Sequence, residues 1–61
     1  MNALNENVSI QLMDKSGNWR TFATVANFPI RITQEMKNLQ NRFPTQRVRA
    51  VDKDGKLVDI L

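Results

Sequence analysis

The chain has no cysteine, no histidine and no tyrosine among its 61 residues. Without cysteine there is neither a disulfide nor a thiolate nucleophile, and without histidine there is no ready proton shuttle near neutral pH. Structural zinc needs thiolate or imidazole ligands, so no metal and no cofactor is expected. Ser9 and Ser16 lack an evident base. Three of the six acidic residues, Asp14, Asp52 and Asp54, fall in or beside turns. Aspartate there accepts hydrogen bonds from neighbouring backbone amides, which leaves it poorly placed for acid–base work. The expectation is a protein that is not an enzyme.

Long apolar runs are missing too. None approaches the roughly 18 residues that span a bilayer, so no membrane association is expected. Residues 1–7 lack the basic region and apolar stretch of a signal peptide, and read as a flexible leader ahead of a single domain over residues 8–61. The cytoplasm is the expected location. A core this small is only narrowly stabilising, and neither disulfide nor metal reinforces it. Association remains, with a protein partner or with a second copy as a homodimer.

What is present is a pair of matching turns, Asp14-Lys15-Ser16-Gly17 and Asp52-Lys53-Asp54-Gly55. Each lies between stretches rich in β-branched and apolar residues, the mark of a tight hairpin with glycine at the positive-φ position. The expected strands are residues 8–13, 19–25, 46–51 and 56–61. Between the hairpins, Phe28, Ile32, Met36, Leu39 and Phe43 recur at steps of three and four, an apolar stripe on one helix face. Asn27 or Thr33 is the candidate N-cap, with Pro29 in the first turn under the former. Pro44 disfavours helical geometry at Phe43, so the helix should stop near Arg42.

The order strand, strand, helix, strand, strand predicts an α+β fold. Two β-hairpins flank one α-helix (ββαββ), and a four-stranded sheet carries the helix on one face. The nearest fold-level analogy is β-grasp.

A three-residue loop with left-handed glycine in each hairpin sets a register. Met13 then faces Trp19 and Ile10 faces Phe22. Val51 faces Leu57, Ala50 faces Val58, Arg49 faces Asp59 and Val48 faces Ile60. That register gathers Val8, Ile10, Leu12, Phe22, Val48, Ala50, Val58 and Ile60 beneath the helix. It turns Met13, Trp19, Val51 and Leu57 outward beside Arg47 and Arg49. A contiguous exposed apolar patch marks an interaction site, so these six residues are the candidate partner-binding surface. A register slip of one residue would instead bury Trp19.

Net charge is +3, and the stretch from Lys37 to Arg49 holds Lys37, Arg42, Arg47 and Arg49 with no acidic residue. Arginine beside an exposed aromatic on an open sheet suits single-stranded nucleic acid, which makes these four the candidate nucleic-acid contacts. One tryptophan is a thin stacking platform, however, and Asp59 opposite Arg49 would neutralise it.

The stretch from Trp19 to Leu61 includes Trp19-Arg20-Thr21, Arg42-Phe43-Pro44, Arg47-Val48-Arg49-Ala50-Val51-Asp52 and Asp54-Gly55-Lys56-Leu57-Val58-Asp59. In size and style it resembles small accessory proteins of tailed bacteriophages. The resemblance implies a non-enzymatic protein that occupies a surface on a host or phage macromolecule. Three functions follow as expectations: a protein-binding module using the open sheet face, a nucleic-acid-binding protein using the same face, or a structural homo-oligomer subunit.

Overall fold

The computed structural model describes residues 7–61. The leader expected over residues 1–7 lies outside them except for Asn7, which opens the first strand. The elements are β1 (Asn7–Met13), β2 (Trp19–Ala26), α1 (Pro29–Arg42), β3 (Val48–Val51) and β4 (Leu57–Ile60). They form the expected α+β arrangement of one antiparallel four-stranded sheet with the helix packed on it. The sheet order is β2-β1-β3-β4. The β-grasp analogy therefore holds for element order and for the helix on one face, whereas β3 rather than the last strand lies beside β1.

Both turns form for the same local reason. The Asp14 carboxylate Oδ1 accepts from the amides of Ser16 and Asn18, each at 2.9 Å, and Asp52 Oδ1 accepts likewise from Asp54 and Lys56. Gly17 (φ 83°) and Gly55 (φ 81°) hold the left-handed position that closes each three-residue loop. The matching ladder bonds, Asp14 N–H to Asn18 O at 2.8 Å and Asp52 N–H to Lys56 O at 2.9 Å, start the two ribbons in the same way.

Beyond the turns each ribbon carries an irregularity that the sequence register does not contain. In the first, Gln11 pairs with Thr21 but Ile10 pairs with Ala23, leaving Phe22 as the extra residue of a bulge. In the second, Val51 pairs with Leu57 as expected, but Ala50 pairs with Asp59 and Arg49 with Ile60, leaving Val58 extra. The expected pairs Ile10–Phe22, Ala50–Val58, Arg49–Asp59 and Val48–Ile60 are thereby corrected. Asp59 comes opposite a helix-side residue, and Ile60 moves to the open face beside Arg49.

The core is smaller than the sequence register implies. Val8, Ile10, Leu12, Val25, Val48 and Ala50 from the sheet meet Ile32, Met36 and Leu39 from the helix. Phe22, Val58 and Ile60, expected beneath the helix, are 48%, 43% and 41% exposed. The cause is width. A helix is about 10 Å across with its side chains, whereas four strands about 4.8 Å apart span roughly 14 Å between outer axes. The helix packs on β1, β2 and β3. Every residue of β4 is exposed.

At the helix ends, Phe28 rather than Asn27 or Thr33 occupies the N-cap position, without a side-chain cap bond, and Pro29 opens the first turn. Phe28 is also exposed, so the buried stripe shortens to Ile32, Met36 and Leu39. Phe43 leaves helical geometry (φ −133°, ψ 69°) just before Pro44, as its position predicts. Its half-buried ring meets Phe22 edge-on, with centroids 5.6 Å apart.

Candidate functional site

Strand alternation turns Gln11 and Met13 of β1 and Arg49 and Val51 of β3 away from the helix, since their neighbours Ile10, Leu12, Val48 and Ala50 are core. The pairings then order the open face in rows across the sheet. One row runs Thr24, Ser9, Val51, Leu57, and the next Thr21, Gln11, Arg49, Ile60. A third starts with Trp19 opposite Met13. Arg47, just ahead of β3, adjoins that row, with its carbonyl accepting the Met13 amide at 3.0 Å. These rows hold no carboxylate.

The middle of the face is wired together. Thr21 Oγ1 accepts from Gln11 Nε2 at 3.1 Å, Gln11 Oε1 accepts from Arg49 Nε at 2.8 Å, and the Arg49 guanidinium lies 4.2 Å from the Trp19 ring centroid. Gln11 orients the arginine and the indole supports it from beneath, a cation–π contact. Trp19 is thus neither freely exposed nor core. It stands on the open face, half-buried, with the guanidinium over its ring.

Arg49 was expected to lose its charge to Asp59. The bulge at Val58 removes that partner, and no ion pair to Arg49 exists among the described residues. An ion pair does form between Arg20 Nε and Asp14 Oδ2 at 2.8 Å. It holds the Asp14 carboxyl below its ordinary range, with help from the Asn18 and Ser16 amides.

The six candidate partner-binding residues differ in accessibility. Leu57 is exposed at 58%, Met13 and Trp19 are half-buried, and Val51 is buried at 5%. Val51 faces outward by register but is closed over, so the apolar patch is smaller than the sequence suggests. Of the four candidate nucleic-acid contacts, Lys37 and Arg42 lie on the helix, across the sheet from Arg49. They form no single patch with Arg47 and Arg49, and Arg42 stacks instead near Phe43, 5.6 Å from its centroid.

Sequence reasoning missed Gln11 and Thr21 as supports of Arg49. Their alternation placed them on the open face, but the bond from Gln11 to Arg49 spans 38 positions and depends on β1 lying beside β3. Among the described residues no group of three or more His, Cys, Asp or Glu is placed to hold a metal ion, and no helix is long and apolar enough to cross a membrane. Comparison with protein-family models, with curated proteins and with solved structures finds no match to this chain.

Proposed function

We propose that this chain is a non-enzymatic binding module whose open sheet face engages an acidic surface on a protein partner. One observation carries the reading: Arg49, oriented by Gln11 and seated on Trp19, projects from a face whose rows hold no carboxylate. A guanidinium fixed in this way loses little freedom on binding and retains N–H groups for a carboxylate fork. Leu57 and Met13 add apolar contact on the same face. Under the resemblance to phage accessory proteins, the partner is a host or phage protein.

Nucleic acid is the second reading, favoured by the +3 charge and by strand-paired rows that hold no carboxylate among the described residues. The occupied indole weighs against it, because base stacking needs a free ring face. A homo-oligomer is the third, favoured by the exposed apolar residues of β4.

Affinity capture from a host lysate with wild type and Arg49→Glu separates these readings. The proposal expects an acidic protein held by wild type, resistant to nuclease treatment and lost by the variant. Nuclease-sensitive capture, steeply weakened by salt, transfers the role to nucleic acid. Equal capture by both proteins removes Arg49 from any role, and a dimer mass at micromolar concentration supports the third reading.

A further inference from the structure

At the end of the open face nearest the first turn, a cleft of about 370 Å³ separates that turn from the loop leading into β3. Its lining is Met13, Asp14, Lys15, Thr45, Gln46 and Arg47. The volume falls in the range of small-ligand sites. We propose that this cleft is an oxyanion subsite, taking the carboxylate of an acidic side chain from the protein partner. The inference rests on the binding role proposed above and names the chemistry of one contact within it.

Three observations converge on the cleft. Lys15 and Arg47 supply two cations from opposite walls, both exposed, and neither has a carboxylate partner among the described residues. The one carboxylate in the lining is already committed: Asp14 accepts two turn amides at Oδ1 and the Arg20 guanidinium at Oδ2. It therefore offers the two cations little competition for an incoming anion. The loop wall is fixed in place, since Gln46 donates from Nε2 to the Met13 carbonyl at 3.1 Å and from its amide to Phe43 O at 3.1 Å. That bracing sets Thr45, with its hydroxyl, and Arg47 on either side of an anchored residue. Met13 gives the cleft an apolar lining that suits the methylene stem of a glutamate.

The test is an amide-shift NMR titration of the full chain with an acetylated tetraglutamate peptide. Inorganic phosphate and sodium chloride at matched ionic strength serve as parallel arms. The proposal expects saturable shifts centred on Lys15, Thr45, Gln46 and Arg47, and about tenfold weaker binding in the Lys15→Ala/Arg47→Ala double variant, the loss of charge-assisted bonds. Thr45→Val, which removes only the hydroxyl, gives a smaller loss in a chain that keeps both cations. Shifts reproduced by sodium chloride, or an unchanged affinity in the double variant, overturn the subsite. Saturation by phosphate and not by the peptide overturns the carboxylate assignment. If the peptide misses the cleft while wild type still captures an acidic protein through Arg49, only the subsite falls and the binding face stands.

Discussion

The guanidinium of Arg49 lies 4.2 Å from the centroid of the Trp19 ring, joining a central strand to an edge strand across β1. A contact of this kind contributes about 0.5–1 kcal/mol at an exposed site. Arg49→Ala uncovers the ring, so tryptophan emission should shift to longer wavelength while the circular dichroism spectrum stays that of wild type. Arg49→Gln removes the charge but keeps a planar group over the indole, and should shift it less. Emission unchanged in Arg49→Ala would falsify the capped-ring arrangement.

Gly17→Ala and Gly55→Ala should each destabilise the fold by about 1–2 kcal/mol, the penalty for a side chain in left-handed geometry. A Cβ at either position meets nothing within 4 Å, so the cost is conformational and should be nearly equal in the two turns. Urea denaturation reads it, and asparagine at the same positions should recover part of the loss. A large inequality between the turns would mean that one of them is not the loop described.

Ile10, wholly buried beneath the helix, should cost about 2–5 kcal/mol when cut to alanine. For a chain of this size, whose stability is on the order of 3–9 kcal/mol, that is a large fraction of the total and should lower the melting temperature steeply. Phe22→Ala should cost distinctly less, because its ring is half exposed and meets Phe43 only edge-on. Equal losses in thermal unfolding would return Phe22 to the core and remove the first bulge.

Asp14 predicts the behaviour in acid. Its folded-state carboxyl titrates below the ordinary 3.8, chiefly through the hydrogen bond from Arg20. The stabilisation is fully present above the unfolded-state value and disappears as pH falls through the lower folded-state one, so the loss runs downward from about pH 4. Melting temperature followed from about pH 5 to pH 2 should show this decline. Asp14→Asn should remove the whole of the Asp14 contribution to it, whereas Arg20→Gln should remove only the part that Arg20 supplies and leave that of the Asn18 and Ser16 amides.

Legibility in the sequence followed the range of the interaction. The turns were readable because Asp14 and Asp52 bind amides two and four positions away, and the helix end because Pro44 acts on its immediate neighbour. The bulges were not readable. Phe22 and Val58 resemble every other strand residue, and what singles them out is pairing with strands placed by the whole fold. The candidate site divides the same way. Met13 and Trp19 are linked through a local hairpin, whereas Arg49 reaches Gln11 only because β1 and β3 are neighbours. The approach of Thr45 and Arg47 to Lys15 is likewise a product of tertiary packing.

Both margins of the sheet are formed by strands that carry an extra residue, Phe22 on one side and Val58 on the other. A kinked border is a poor template for another chain's ladder, which is how many small sheets avoid growing into fibrils. The greasy outer ribbon of β4 can then take part in contacts through its side chains while its backbone resists templating. In a sheet this small, two residues that no hydrophobic pattern would single out thus set how its outer strands can meet another backbone.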